Sequence, residues 1–226
     1  MLLALLPLAA CLTAQESFTM QRDAMVREQI EARGVRDPRV LAALRRVPRE
    51  RFVLPDATSL AYQDSPLTIG HGQTISQPYI VAVMSEAAAI GPDDVVLEIG
   101  TGSAYQAAVL GELARAVYTI EIIPELATRA QTTLQSLGYT NVTVRLGDGY
   151  AGWPEHAPFD AIVVTAAPPE VPAALKSQLK VGGRLVVPVG VGDQDLLVVE
   201  RTADGFTEKH LMGVRFVPMV PRRPEQ

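Results

Sequence analysis

The architecture of this chain can be predicted from the segment Val95-Val96-Leu97-Glu98-Ile99-Gly100-Thr101-Gly102-Ser103-Ala104-Tyr105. An apolar run ends in an acidic residue and an isoleucine, and then breaks at two glycines that are one residue apart. This pattern predicts a buried parallel strand, a tight turn and a helix, with bare backbone at the turn that a nucleotide-like molecule can approach. A strand-to-helix turn without a ligand would show the same two glycines, so the rest of the chain must discriminate between the two interpretations.

The turn at Gly100 and Gly102 lacks the residues that bind phosphate groups. A dinucleotide-binding turn has a third small residue three positions after its second glycine, where this chain has Tyr105. The turn also lacks the Lys followed by Ser or Thr of a P-loop. It therefore favours a nucleoside without phosphates, and the cofactor that it predicts is S-adenosylmethionine (SAM).

Length and composition are typical of one α/β core. The chain has 226 residues, of which 48% are hydrophobic, and this is enough for one sizeable core. The net charge is −5 and no basic stripe is visible, so we expect no nucleic-acid partner. The single cysteine, Cys11, excludes an internal disulfide, and with three scattered histidines the sequence predicts no metal site.

The first fifteen residues allow three interpretations. Leu8-Ala9-Ala10-Cys11 resembles a bacterial lipoprotein cleavage box, in which Cys11 would be lipidated. The apolar segment is short and lacks a basic residue before it, so a misassigned start codon and a frayed, disordered apolar N-terminus are the alternatives. Because SAM is made in the cytosol, we expect a cytoplasmic protein, with export or lipid anchoring through Cys11 as the alternative. Residues 16–226 are predicted to form a single domain.

Hydrophobic patterns predict a helical N-terminal extension followed by alternating strands and helices. Helices are predicted at 18–33, 38–46, 77–88, 103–114, 124–137 and 172–179. Strands are predicted at 95–100, 116–121, 142–147, 159–166, 184–188, 195–201 and 210–219, and residues 58–76 are predicted to form a loop. The alternation indicates an α/β fold with a mostly parallel sheet, helices on both faces and an antiparallel pair at the C-terminal end.

Three features lie where predicted strands end, which is where such sheets bind ligands. The first is the turn Gly100–Ser103. The second is Glu121, about twenty residues after the first glycine, whose carboxylate can accept hydrogen bonds from ribose hydroxyls. The third is Gly147-Asp148-Gly149, which can place a carboxylate near an adenine amino group. Glu121 as a surface acid and Asp148 as a turn residue are the simpler alternatives, but the three features together favour a SAM site. Glu98 lies within its strand and is expected to bind backbone amides of the loop.

The segment Asp64–Tyr79, with its Gln73–Pro78 motif, resembles the signature of protein-L-isoaspartate (D-aspartate) O-methyltransferases. The resemblance covers about residues 20–220 and includes the segments 97–103, 147–149, 157–160, 164–167, 186–190 and 214–218. It implies the Rossmann-like fold of the class I SAM-dependent methyltransferases. One departure is Ala104, where this family usually has glycine. If that position requires a positive φ, the turn would be strained and the affinity for the cofactor reduced.

The resemblance implies an enzyme that starts the repair of damaged proteins. Such an enzyme transfers a methyl group from SAM to the free α-carboxylate of L-isoaspartyl residues, with D-aspartyl residues as a further candidate acceptor. The residues implied in cofactor binding are Gly100, Thr101, Gly102, Ser103, Glu121, Gly147, Asp148 and Gly149.

By the same resemblance, Ser76 is the catalytic hydroxyl, expected to orient the substrate carboxylate without a covalent intermediate. Its alternative is an N-cap ahead of Gln77-Pro78. The implied substrate-binding residues are Thr74 and Ile75, which would form a lid with Gln73, and Val214, Arg215 and Phe216, which would lie beside the peptide. His71 is expected to be a loop residue beside the site.

The expected partners are isoaspartyl-containing proteins and peptides, bound by a monomer. Two other functional classes stay open on the residues alone. One is a SAM enzyme acting on a small molecule or RNA, although the Asn-Pro-Pro-Tyr type of motif is absent at Ala166-Ala167-Pro168-Pro169. The other is a non-enzymatic binding protein that keeps the fold, which would predict a damaged cofactor site.

Overall fold

The computed structural model describes the backbone of residues 6–221 and the side chains of residues 15–221. Residues 1–5 of the expected leader, and the side chains of residues 6–14 including that of Cys11, lie outside these described residues. Within them, no helix combines the length and the apolar character that are needed to cross a bilayer.

The helices and strands follow one another largely as the hydrophobic patterns predict. The helices are α1 Leu6–Ala24, α2 Pro38–Arg46, α3 Pro78–Ala87, α4 Tyr105–Gly111, α5 Pro124–Ser136 and α6 Ala173–Gln178. The strands are β1 Leu67–Gly70, β2 Gln73–Ile75, β3 Val95–Ile99, β4 Ala116–Glu121, β5 Val142–Leu146, β6 Phe159–Val164, β7 Leu179–Val189, β8 Gln194–Thr202 and β9 Gly205–Val214.

Seven of these strands form one sheet in the order β5-β4-β3-β6-β7-β8-β9. The strands from β5 to β7 are parallel, and β8 and β9 add an antiparallel pair at one edge. Helices α2 to α5 cover one face of the sheet, and α6 with short 3-10 turns covers the other. This confirms the predicted fold class. The chain runs from β3 outward to β5 and then crosses to β6 on the other side of β3, so a crevice opens at the end of β3.

The N-terminal extension is one helical segment up to Gly34. Helix α1 continues as a π-helical stretch, Met25–Ile30, and a 3-10 turn, Glu31–Arg33. Gly34 then ends it with φ 104°, as the sequence predicts. The extension starts earlier than the predicted residue 18. Its buried side chains Met25, Val26 and Ile30 pack into the core, so the extension is part of the folded unit.

The prediction of a loop over residues 58–76 is wrong. Strands β1 and β2 form an antiparallel hairpin in which Leu67 pairs with Ile75. Strands of four and three residues are too short to show alternation in the sequence. Tertiary contacts hold the hairpin instead: Ile69 is fully buried, and Arg129 on α5 donates a hydrogen bond to its carbonyl oxygen at 2.6 Å.

The predicted strand 210–219 is also wrong at both ends. Strand β9 begins at Gly205 and ends at Val214, and the chain then leaves the edge of the sheet. It returns to the centre of the molecule, where Ala167 N–H donates to Val217 O and Met219 N–H to Ala167 O, each at 2.8 Å. This crossing places the C-terminal segment over the crevice. The hydrophobic pattern could not predict this crossing, because the residues before and after the bend are mainly apolar.

Candidate functional site

A cavity lies at the carboxyl end of β3, in the crevice that the strand order creates. The non-atom space of this first cavity, with the solvent at its open mouth included, amounts to about 840 Å³. The predicted site residues that line it are Thr74, Ile75, Ser76, Gly100, Thr101, Gly102, Ser103, Glu121 and Gly149. Gly147 and Asp148 are absent from its lining, although they adjoin Gly149 in the chain.

The turn after β3 needs glycine for its space and its backbone conformation. Gly100 and Gly102 have φ of 94° and 53°. A Cβ at Gly100 would lie 2.5 Å from Thr165 Oγ1, and that hydroxyl donates to Gly100 O at 2.6 Å. The turn is therefore fixed from β6 as well as from β3, and its backbone forms one wall of the first cavity.

Ala104 ends this turn in the left-handed conformation, with φ 72° and ψ 10°. The helix expected from residue 103 begins only at Tyr105, because Ala104 N–H closes a turn on Thr101 O at 2.7 Å. The position thus requires the positive φ that glycine adopts freely and that alanine adopts at a cost. A positive φ at this position is the condition under which alanine strains the turn.

Glu121 is buried at the end of β4, with only 5% of its surface exposed, so the surface-acid interpretation is wrong. One carboxylate oxygen accepts from Gly102 N–H at 2.7 Å. The other accepts from Ile122 N–H and Ile123 N–H at 2.9 and 3.0 Å. A carboxylate has about four acceptor positions, so Glu121 is rigidly oriented and keeps acceptor capacity toward the cavity that it lines.

Glu98 does not bind backbone amides, contrary to the expectation. The Thr119 hydroxyl donates to one oxygen of its fully buried carboxyl group, and the hydroxyls of Thr119 and Thr101 lie 2.6 Å apart. Within residues 15–221 its other oxygen has no hydrogen-bond partner. Burial raises the pKa of Glu98 to about 8, although the hydrogen bond from Thr119 acts in the opposite direction. Glu98 therefore supports the glycine turn through two threonine hydroxyls.

Asp148 caps the short turn that follows β5. Its carboxylate accepts from Tyr150 N–H at 2.9 Å, as a turn residue does. Gly149 brings the backbone close to the end of β3, where a Cβ would lie 2.3 Å from Ile99 Cγ2. The turn thus orients Asp148 beside the cavity, and its contact with a base stays a prediction.

A second cavity adjoins the first. Thr74, Ser76, Thr165 and Val217 line both, so the two cavities meet at these four residues. The predicted substrate-binding residues Val214, Arg215 and Phe216 line the second cavity only. Gln194 on β8 holds this segment with a pair of hydrogen bonds to the Phe216 backbone, at 2.6 and 3.1 Å.

Ser76 lies at this junction and is half-buried. It is not the N-cap of α3, because Gln77 occupies that position and Pro78 starts the helix. Among the described residues its hydroxyl has no hydrogen-bond partner. The hydroxyl is therefore available to a ligand that enters either cavity.

Comparison with known proteins identifies the family. Residues 20–224 match the model of the protein-L-isoaspartate(D-aspartate) O-methyltransferase family. The chain belongs to this family. It is 60% identical to the protein-L-isoaspartate O-methyltransferases of a Synechococcus species and of Gloeobacter violaceus. The two matches cover 92% and 89% of this chain, and 88% and 100% of those relatives.

Solved structures of the same description share the fold. One protein-L-isoaspartate O-methyltransferase superposes with a TM-score of 0.79 at 29% identity, over 87% of this chain and 65% of that one. A second, from Plasmodium falciparum and described as a complex with S-adenosyl-L-homocysteine, has a TM-score of 0.77 at 23% identity. That match covers 88% of this chain and 98% of the other.

Family membership establishes the activity that the resemblance implied. The chain is a SAM-dependent protein-L-isoaspartate O-methyltransferase, which acts on isoaspartyl residues of proteins in their repair. The two other functional classes, a SAM enzyme for small molecules or RNA and a non-enzymatic binding protein, are thereby set aside.

The first cavity fits this cofactor on its own chemistry. No Lys or Arg occurs among the described residues that line it, so it offers no side-chain cation to a phosphate group. It offers bare backbone at Gly100 and Gly102 and one oriented carboxylate, Glu121, which suit a nucleoside with free ribose hydroxyls.

Sequence reasoning missed several lining residues. Ile122 and Ile123 follow Glu121 directly, and their position after the acidic strand end could have indicated them. Met219 and Val220 reach the first cavity only through the C-terminal crossing, for which the sequence carries no local signal. Arg33 and Gln194 line the second cavity from distant parts of the chain.

Proposed function

We propose that the first cavity holds the cofactor, the second holds the peptide around the isoaspartyl residue, and the methyl group is transferred where the two cavities meet. The observation that carries this proposal is that Ser76, Thr74 and Thr165 line both cavities. L-Isoaspartyl residues are the main acceptor, with D-aspartyl residues as a second candidate.

Cofactor binding is assigned to three parts of the chain. Glu121 accepts hydrogen bonds from the ribose hydroxyls, and the backbone of Gly100–Ser103 lies along the rest of the molecule. Gly147, Asp148 and Gly149 bind the base. When bound, SAM supplies a methyl group that its sulfonium already activates. The chain's own residues are left to position the acceptor and to exclude water.

Ser76 orients the acceptor carboxylate. A carboxyl group with a pKa near ~4 is ionised at neutral pH, so no general base is needed to prepare the nucleophile. The free hydroxyl of Ser76 donates a hydrogen bond to one oxygen of this carboxylate and leaves the other oxygen to react. Alignment of this kind can supply roughly 7–11 kcal/mol in well-oriented systems.

The β1–β2 hairpin excludes water from the junction. Ile75 is buried against the cavity and Thr74 lies at the junction of the two cavities. A carboxylate that has lost its water shell is a stronger nucleophile. Val214, Arg215 and Phe216 lie along the peptide on the opposite wall and bind it largely through the backbone, which allows many sequences.

Residues 16–226 form one methyltransferase domain that acts as a monomer in the cytoplasm, where SAM is made. Anchoring through Cys11 is the alternative location. No metal is needed, and the described residues contain no cluster of His, Cys, Asp and Glu that could hold one.

The role of Ser76 is tested with Ser76→Ala and an isoaspartyl peptide. Loss of a hydrogen bond to a charged group costs about 1.5–3 kcal/mol, so kcat/KM should fall roughly 10- to 150-fold. The affinity for S-adenosyl-L-homocysteine, measured by calorimetry, should not change. Ser59→Ala, an exposed serine outside both cavities, is the matched control. An unchanged kcat/KM in Ser76→Ala would contradict this role.

A further inference from the structure

The N-terminal extension contributes a side chain to the second cavity. Arg33 is the last residue of the 3-10 turn before Gly34, and it lines the same cavity as Ser76. The extension is otherwise packed through apolar residues such as Met25 and Ile30. Packing alone does not explain why the cation of Arg33 lines this cavity.

The guanidinium of Arg33 is held in a fixed orientation. Its Nη1 donates to Asp64 Oδ2 at 2.5 Å, and its Cζ lies 3.5 Å from the centre of the Tyr79 ring. Gln77 Nε2 donates to the same Asp64 oxygen at 2.7 Å. Gln77 follows Ser76 in the chain. Asp64 therefore connects Arg33, through hydrogen bonds, to the segment that carries the Ser76 hydroxyl.

Most donors of Arg33 remain available to a ligand. An arginine side chain has five N–H donors in a rigid fork. Within residues 15–221 only Nη1 has a hydrogen-bond partner, and 42% of the side chain is exposed. The fork is therefore preorganised at the edge of the cavity, and a bound molecule would gain its hydrogen bonds at a low cost in side-chain entropy.

The charged residues that line the second cavity indicate which kind of acceptor atom Arg33 binds. Arg33 and Arg215 are balanced by Asp193 and Asp195 in the cavity lining, so the cavity does not select acidic peptides. A tight ion pair between Arg33 and the reactive carboxylate would also make that carboxylate a weaker nucleophile. The acceptors that isoaspartyl peptides of every sequence share are their main-chain carbonyl oxygens.

We propose that Arg33 donates hydrogen bonds to main-chain carbonyl oxygens of the substrate peptide beside the isoaspartyl residue. This inference rests on the proposed placement of the peptide in the second cavity. It makes Arg33 a substrate-binding residue that acts on the affinity for the peptide and not on the transfer step.

The test compares steady-state kinetics of the wild type, Arg33→Ala and Arg33→Lys on isoaspartyl peptides with acidic, neutral and basic flanking residues. Both variants should raise the KM for the peptide about tenfold, equally for the three flanking types. The kcat and the affinity for S-adenosyl-L-homocysteine should stay unchanged. Arg27→Ala is the matched control, since Arg27 is an exposed arginine whose ion pair is with its neighbour Glu28.

Arg33→Lys separates binding from structure, because lysine keeps the charge beside Asp64 but loses the planar fork. A normal KM in Arg33→Lys would overturn the proposal in favour of a structural ion pair. An effect confined to acidic peptides would overturn it in favour of side-chain recognition. If the wild type methylates no isoaspartyl peptide, the proposed function fails with it. If the wild type is active and neither variant changes KM, only the role of Arg33 fails.

Discussion

Ala104 holds a backbone conformation that favours glycine, at the point where the Gly100–Ser103 turn becomes helix α4. Its φ of 72° lies in the left-handed region, which alanine adopts less readily than the glycine that this family usually has there. The left-handed region costs a non-glycine residue about 1–2 kcal/mol. Ala104 bears this cost at the end of the turn that lines the first cavity.

Ala104→Gly should therefore strengthen cofactor binding several-fold, as measured by calorimetry with S-adenosyl-L-homocysteine. Its gain in unfolding free energy should be small, because deleting a buried methyl group costs about 0.8 kcal/mol. Ala89 also has a positive φ, of 50°, but is exposed and lies outside both cavities. Ala89→Gly should stabilise the fold by about 1 kcal/mol without changing affinity. Equal affinities in the wild type and Ala104→Gly would show that the strain at Ala104 does not affect cofactor binding.

At the scale of elements, Glu98 joins β3 to β4 and to the glycine turn through two threonine hydroxyls. Its folded pKa of about 8 lies above the value near ~4.3 of an unfolded glutamate. Between these values the folded state keeps a proton that the unfolded state has lost. Stability linked to this group is therefore fully present below about pH 4 and is lost as the pH rises toward 8.

Glu98→Gln should remove this pH dependence while keeping the shape of the side chain. Denaturant unfolding from pH 5 to pH 8 should show the wild type losing stability relative to the variant as the pH rises. Glu155→Gln changes an exposed carboxylate and should follow the wild type. Parallel curves for the wild type and Glu98→Gln would mean that Glu98 is ionised in the folded protein.

In the molecule as a whole, the parallel core was predictable because its central strands, β3 and β6, are mainly apolar runs that end at a turn. The turn at Gly100, the acid at Glu121 and the cap at Asp148 sit at strand ends, and strand ends meet at one edge of a parallel sheet. The proximity of these three features could therefore be predicted from the strand order, without knowledge of tertiary contacts.

The second cavity was far less predictable because its walls come from distant segments. The β1–β2 hairpin depends on burial of Ile69 and on the hydrogen bond from Arg129, neither of which appears in a local pattern. The crossing at Val217 and the approach of Arg33 are likewise tertiary features. The role of Ser76 is proposed only through the family resemblance, since nothing near it in the sequence indicates a catalytic hydroxyl.

We have proposed that methylation of the carboxylate that an isoaspartyl link sets free takes place at the junction of the two cavities. The most direct measurement is methyl transfer from labelled SAM to two synthetic peptides that differ only in an isoaspartyl or a normal aspartyl link. We expect base-labile label on the isoaspartyl peptide alone. Equal labelling of both peptides, or no labelling by a protein that still binds SAM, would contradict the claim.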